Sequence, residues 1–583
     1  MKNIKLVAVV SVLLVAVVGP LHAEVRLANI FGDHMVLQQN KPISVWGFAT
    51  AGEKVTVEVR RGKGSAPSEA YTARTATVVA DAKGFWAVEL KAIEASFVPC
   101  TLIAKGKSNG VTLRDVLIGE LWLCGGQSNM EWTLRGCVNA DIEIPSADFP
   151  NIRFYRMPHI ARPTVQNDVF LGEASKTQGV WRPCTGENVQ DCTGVGYYFA
   201  RRLRRLLKVP VGLIDTSWGG TMAQHWTEKE VLKAIPEMKP YIEKFDADMK
   251  VWNDGGGEKG AKTRYDAAVK AYEKKAAAGD KKARRPKTSA FTSPATKRQP
   301  AGMYNAMIVP LKRMKIRGVL FYQGENNSFG ESWKPFYRSF PGVITSWRKL
   351  FADEKLPFGI IQIAGWSSRR SMTYDMNHHT NIIREIQFLT WRRTPGTGLI
   401  VTFDTNSTQR IHPPAKLPVG ERSARWALAE VYGMKKIEWR GPIYKGMKIE
   451  GKKILITFEP ESSKSMRLDK DNDRGFYIAG KDRVFHIAKA RVSSRDKVQR
   501  LEVWCDDVPE PVAVRYAVSN LPIGGLENSR HLPAYPFRTD DWPITPHQST
   551  GEYKVETGDA STRMILIKPS IIIQSEKELK IDN

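Results

Sequence analysis

Hydrophobic and polar positions change rhythm several times along the chain. From Glu24 to about Gly110 the pattern is short and alternating, as in ISVWGFA, KVTVEVR, GFWAVEL and CTLIAKG, with Gly, Pro and Asp between the runs. Strict alternation predicts strands with one wet face, so residues 24–110 read as a small β-sandwich. From Val111 the apolar runs become continuous: VLIGELWLCGG, VPVGLIDTSWGG, GVLFYQGENN, PFGIIQIAG and TGLIVTFDT. Helical patterns lie between them, including VGYYFARRLRRLL from Val195 and VGERSARWALAEVYG from Val419. Continuous apolar strands alternating with helices predict an α/β domain over residues 111–435, with a parallel sheet covered on both faces. From Lys436 alternation returns in GMKIEGKKILITFEP, RVFHIAKARV, RLEVWCDDV and PVAVRYAVSN, predicting a second β-domain over 436–542. The polar tail, 543–583, carries two apolar patches at Met564 and Ile571 and receives no assignment.

Within the α/β region, residues 241–298 are Ala- and Lys-rich and dense in charge, as in KAYEKKAAAGDKKARRPK. A charge run of this kind reads as a solvated helical insertion. It accounts for part of the formal net charge of +26. A basic surface attracts polyanions, yet the chain has no zinc-finger spacing, RNA-binding aromatic motif or basic zipper, so no nucleic-acid partner is expected. With 583 residues, 42% hydrophobic and 25% charged, the composition excludes a disordered chain, a collagen-like repeat and a polytopic membrane protein.

Residues 1–23 have the form of a secretory signal: Lys2 and Lys5, an apolar stretch from Leu6 to Gly19, and a small residue at Ala23. The stretch is short for a membrane span, so a secreted or periplasmic protein, without stable membrane insertion after cleavage, is expected. The six cysteines lack paired metal-ligand spacing and are too few for a disulfide scaffold in a chain of this length. Export permits disulfides, with Cys184–Cys192 and Cys124–Cys137 as candidate pairs.

In an open parallel sheet, ligands bind beyond the carboxyl ends of the strands. Polar clusters follow four of the apolar runs: Gly125-Gly126-Gln127-Ser128-Asn129, Ser217-Trp218-Gly219-Gly220-Thr221, Gln323-Gly324-Glu325-Asn326-Asn327, and Asp404 followed by Ile411-His412-Pro413-Pro414. These are the parts of an acyl transfer: a serine hydroxyl, a histidine to take its proton, and amides to hold a tetrahedral oxyanion. Ser128, His412 and amides at Gly219, Gln323 or Asn327 form a coherent set. Met130 stands where the last glycine of a G-x-S-x-G elbow would be, which argues against an ordinary α/β-hydrolase. No carboxylate-and-histidine spacing points to a metal, and no cofactor is expected. Of Trp122, Trp132, Trp218 and Trp226, some are expected to stack on sugar and at least half to lie in the core.

The block LWLCGGQSNMEW from Leu121 resembles the nucleophile block of the sialate O-acetylesterase family, within the SGNH hydrolases named for Ser, Gly, Asn and His. The resemblance runs from GDHMVLQQNKPISVWGFATAGEKVTVEV to AYPFRTDDWP and includes SWGGTMAQHW, GMYNAMIVPL, FYQGENN and IHPPAKLPVGERSARWAL. It implies an SGNH-like α/β hydrolase domain flanked by N- and C-terminal β-domains. It also implies metal-independent hydrolysis of acetyl esters on sugars, with Ser128 as nucleophile and His412 as general base. The Ser128 main chain, Gly219 or a neighbouring glycine, and an amide of the Gln323–Asn327 segment would hold the oxyanion. Gln127 and Glu325 are counted with this oxyanion and substrate-binding set.

The chain departs from the family at Arg410, where relatives often carry Asp, at Asn326, where they often have Ser, and at Met222 and His225 in the SWGGT block. An arginine cannot orient an imidazolium. The orienting carboxylate is therefore either missing, leaving a Ser–His dyad with backbone support, or supplied by Asp404 or Glu325. The expected substrate is an acetylated glycan or sugar, from sialic acid to xylan. The alternatives are a non-catalytic glycan-binding protein on the same fold and a serine peptidase.

Overall fold

The computed structural model describes residues 24–62, 72–172, 174–366, 379–405, 410–468, 475–495, 498–522 and 524–542, together with the backbone strands Tyr553–Gly558 and Ser561–Leu566. The expected leader over 1–23 and the Ile571 patch lie outside the described residues.

The central element is a 17-residue strand, Gly110–Gly126. Its burial alternates over the first six residues and is then complete to the end. The cause is a change of neighbours. The first part pairs antiparallel with Ser96–Lys105, leaving one face partly wet. The second part pairs parallel on both sides, with Val211–Asp215 and Gly318–Tyr322, and is covered on both faces. The change occurs at Asp115, whose positive φ of 54° bends the strand and whose carboxylate accepts from Arg153 Nη1 at 2.8 Å.

One strand thus spans the antiparallel and parallel parts of a single sheet. The large sheet runs Trp181–Thr185, Asp148–Arg156, Val211–Asp215, Gly110–Gly126, Gly318–Tyr322, Phe358–Ile361 and Thr397–Ile400. All these strands are parallel except the edge strand Trp181–Thr185. The five continuous apolar runs are all strands here. Asp148–Arg156 is a further parallel strand that the pattern did not announce, because only its second half is fully buried. The short strand Val36–Gln38 and the alternating strands Lys54–Arg61, Thr72–Val79 and Ser96–Lys105 extend the same sheet. A separate layer of Arg26–Leu27, Ile43–Phe48 and Phe85–Leu90 faces them across Trp46 and Trp86, each 1% exposed.

Helices cover the sheet where helical periodicity placed them. Gly194–Leu207 begins at Thr193, whose hydroxyl accepts from the Gly196 N–H and so caps the first turn. Leu417–Trp426 follows the His412 loop and lays Trp426 beside Gly359 and Gly398. Lys239–Asp254 and Gly257–Ala277 form the charged insertion, turning at Gly256 with φ 81°. Only Ala261 of the second helix is buried, and Lys244–Asp248, Lys250–Asp254 and Lys262–Asp266 pair across single turns, as a solvated helix should.

The C-terminal region contains a four-stranded sheet, Tyr444–Glu450, Lys453–Phe458, Val498–Trp504 and Lys489–Arg495. A six-stranded sheet beside it ends in the two tail strands. The polar tail therefore includes a hairpin, Tyr553–Gly558 with Ser561–Leu566, paired to Phe485–Ile487. Among the described residues no helix is long and apolar enough to cross a membrane.

Candidate active site

The sheet order reverses at Gly110–Gly126: the chain leaves this strand for neighbours on one side and returns for Gly318–Tyr322 on the other. A crevice opens at such a switch point beyond the carboxyl ends of the strands. Gly126 ends the strand with φ 125°, and a Cβ there would lie 2.1 Å from Tyr322 O. A glycine is required, both for the backbone angle and for the close approach of the two strands. The turn delivers Ser128 to the first position of the short helix Ser128–Glu131.

His412 reaches the same point from the loop after Thr397–Ile400, placing Nε2 2.8 Å from Ser128 Oγ. Trp132 lies beside the imidazole, ring centroids 5.4 Å apart and planes tilted by 30°. Burial pulls the His412 pKa below its ordinary value, the Lys416 cation adds to this, and the Glu131 charge opposes it. The imidazole is therefore held neutral near neutral pH, the form that accepts a proton.

A buried polar network ties the Ser128 helix to the His412 loop. Asn129 is fully buried; its Nδ2 donates to Glu325 Oε1 at 2.5 Å and to Ile411 O at 2.9 Å, and its Oδ1 accepts from Lys416 Nζ at 2.6 Å. Glu325 Oε2 accepts from Gln127 Nε2 at 2.6 Å. Burial pushes the Glu325 carboxyl up to about 7 and the Lys416 ammonium down to about 7. The Ile411 carbonyl that Asn129 holds directly precedes His412, so this network sets the position of the base.

The remaining candidates occupy different places. Gln323 Nε2 donates to Gln127 Oε1 and to Thr221 O, both at 2.9 Å. Asn327 accepts from Ala223 N at 3.0 Å and donates to Gln224 Oε1 at 3.1 Å. Both amides are buried, and their N–H groups donate to neighbouring turns. Gln127 and Glu325 belong to the same internal network and support the crevice without opening onto it. Asn326, only partly buried, is the amide of this segment at the crevice, with Nδ2 4.0 Å from the Cβ position of Gly220.

Asp404 does not serve His412: its two oxygens take Arg422 Nη1 and Nη2 at 2.7 and 2.6 Å. Arg422 lies on the helix that follows the His412 loop, and this bidentate pair turns the carboxylate away. Among the described residues His412 Nδ1 has no carboxylate partner. Segment 406–409 lies outside the described residues.

Gly219 lies against the serine, with its Cβ position 3.2 Å from Ser128 Cβ. Its N–H donates to Glu131 Oε2 at 2.6 Å. The other oxygen of Glu131 is 3.5 Å from His159 Nε2. His159 stacks on Trp218, centroids 5.0 Å apart and planes within 8°. Its Nε2 also lies 3.1 Å from Ser217 O, and Asp215 Oδ1 fixes that residue by accepting its N–H at 3.0 Å.

Glu131, His159 and Lys416 were not singled out from the sequence. The signal for Glu131 was its place three residues after Ser128, on the same face of a helix. His159 follows the strand Asp148–Arg156, which the hydrophobic pattern also missed. Trp122 and Trp226 are core residues with 0% exposure, whereas Trp132 and Trp218 flank the crevice. His225 is buried and structural, accepting Met222 N at 3.1 Å. Outside the crevice, His486, Cys505 and Asp507 bring potential metal ligands within 4.8 Å of one another on the C-terminal strands. The cysteines are free thiols, Cys505 alone being less than fully buried.

No protein-family model matches the chain. It is 27% identical over 561 residues to the sialate O-acetylesterase of Mus musculus, covering 88% of this chain and 94% of that protein. It is also 27% identical over 461 residues to the Homo sapiens sialate O-acetylesterase, covering 74% and 76%. A carbohydrate acetylesterase from Xanthomonas citri has a similar crystal structure, with TM-score 0.68 and 29% identity, covering 89% of this chain and all of that one. The chain is similar to sialate O-acetylesterases over most of its length. The match to the Xanthomonas citri structure spans most of this chain, so the family likeness extends well beyond the crevice.

Proposed function

We propose that the protein is an exported carbohydrate O-acetylesterase of the SGNH type that works through a serine acyl-enzyme. The observation that carries this reading is the 2.8 Å contact of Ser128 Oγ with His412 Nε2 at the switch point of the sheet. His412 takes the hydroxyl proton as Ser128 Oγ attacks the acetyl carbonyl carbon. The tetrahedral intermediate collapses by breaking the bond to the sugar oxygen, which receives the proton from His412. Water then attacks the acetyl-serine with His412 again as base, releasing acetate and returning the proton to Ser128.

The oxyanion is held by the main-chain N–H of Ser128, in a first helical turn whose N–H groups lack intrahelical acceptors, and by the N–H of Gly219. For Gly219 to serve, Glu131 must release its 2.6 Å bond. With Asp404 occupied by Arg422, the base works as half of a dyad, positioned through Ile411 and Asn129. The named relatives support acetylated sugar as the substrate. The form of residues 1–23 supports export.

The test is acetate release from 9-O-acetylated sialic acid and from acetylated xylan by the protein and by Ser128→Ala. The variant is expected to lose about 10³-fold or more in kcat with an unchanged melting curve. Turnover that survives Ser128→Ala would refute the serine mechanism.

A further inference from the structure

One cluster of donor atoms lies outside the crevice, on the C-terminal strands. His486, Cys505 and Asp507 bring an imidazole nitrogen, a thiol sulfur and a carboxylate oxygen within 4.8 Å of one another. The fold makes this meeting where the chain crosses from the six-stranded sheet to the four-stranded one. Phe485–Ile487 pairs with Phe476–Ala479, and Lys489–Arg495 pairs with Val498–Trp504. The second ladder ends at Lys489 opposite Trp504, while the Ala488 N–H already donates to Phe476 O at 2.9 Å. His486 therefore lies beside the end of Val498–Trp504, where Cys505 and Asp507 follow. The Val508 N–H donates to Cys505 O at 3.1 Å and folds these residues into a tight turn. No sequence spacing announces the cluster, because only the sheets bring its members together.

The groups are otherwise uncommitted. Among the described residues no hydrogen bond or ion pair engages the His486 ring or the Asp507 carboxylate. In a chain of net charge +26, Asp507 thus meets no basic partner there, whereas its neighbour Asp506 takes Lys489 at 2.9 Å. Cys505 is the one cysteine that is not buried. With His486 and Cys505 half-buried and Asp507 exposed, an ion can enter from solvent. Mg²⁺ and Ca²⁺ ask for oxygen donors, whereas Zn²⁺ accepts imidazole, thiolate and carboxylate together. Donor atoms around tetrahedral Zn²⁺ stand about 3.3–3.8 Å apart, so side-chain rotation closes the cluster onto the ion.

The structure assigns to His486, Cys505 and Asp507 a Zn²⁺ site that fastens the crossover between the two C-terminal sheets, with water as the fourth ligand. On binding, the Cys505 thiol passes its proton to solvent and its sulfur bonds the ion. His486 also stands opposite Arg563 in the ladder with the tail hairpin, so the ion fixes the strand on which that hairpin pairs. No residue of the crevice belongs to this site, and the acyl-transfer chemistry does not pass through it.

The test uses the full chain without an affinity tag, freed of metal by a chelator and titrated calorimetrically with Zn²⁺ alone. Wild type should bind one equivalent, and its melting temperature should rise with added Zn²⁺. Cys505→Ser and His486→Ala should each weaken binding about 100-fold or more, beyond the loss of a group that only orients a ligand. Co²⁺ in place of Zn²⁺ should give a thiolate-to-metal charge-transfer band that Cys505→Ser abolishes. The other five cysteines remain in that variant, so loss of the band reads Cys505 alone. Equal melting temperatures of the metal-free variants and metal-free wild type separate loss of a ligand from loss of the fold. Where His486→Ala disturbs the fold, Asp507→Asn, at an exposed side chain, should still weaken Zn²⁺ binding. Failure of wild type to bind Zn²⁺, or equally tight binding by Cys505→Ser, would overturn the site.

Discussion

At the scale of single residues, the chemistry turns on how charges around His412 are arranged. A general base must be neutral, so kcat/KM should rise with pH through the His412 pKa. Burial and Lys416 place that pKa below the ordinary histidine value of about 6.5. Glu131 works in the opposite direction by stabilising the protonated ring. Glu131→Gln removes this charge while keeping an oxygen for the Gly219 N–H. The acid limb of the kcat/KM profile should therefore move to lower pH, and a shift to higher pH would contradict the assignment. The pair Ser128 and His412 was legible in the sequence because each sits in a block of unusual composition directly after an apolar run. Asp404 was misleading for the same reason: it also follows such a run, but a bidentate arginine one helix later claims it. The local pattern shows that a polar side chain emerges at a strand end, not which partner it meets.

At the scale of elements, the strands that end at the crevice could be read directly, because burial on both faces leaves continuous apolar runs. Asp148–Arg156, near the sheet edge and half exposed, left a weaker trace and concealed His159 with it. The amides of Gln127, Gln323 and Asn327 were legible as a cluster, but their partners were not. Three strand-end turns need buried donors and acceptors to hold them together, and these side chains meet that need. Asn129 joins the Ser128 helix to the His412 loop through three hydrogen bonds. Asn129→Ala leaves Glu325, Ile411 O and Lys416 short of a partner in a buried space. Each unsatisfied group costs about 1–3 kcal/mol. The variant should lose at least that much stability in urea and a larger share of kcat than of KM, because the displaced group is the base. Full stability with normal kcat would show that the loop is held elsewhere.

At the scale of the whole molecule, the strand Gly110–Gly126 links the N-terminal β-layers to the sheet that carries Ser128. Alternation at one end and continuous burial at the other make it look like two elements in the sequence, with a seam at Asp115. In the fold it is one strand, with eleven strands in its sheet. A backbone shared in this way transmits unfolding, because the N-terminal strands cannot separate without exposing the strand that leads to the serine. Leu102 tests this. It lies on Ser96–Lys105, is fully buried, and pairs with Leu113 at the alternating end, 15 residues before Ser128 in the chain. Leu102→Ala should cost about 2–5 kcal/mol as a cavity in a packed core. If the two regions unfold as one body, calorimetry will show a single transition moved to lower temperature. Acetate release will then be lost at that same lower temperature. Two separate transitions, with activity lost only at the upper one and at its original temperature, would mean that the shared strand frays at Asp115 and that the N-terminal layers are an independent body.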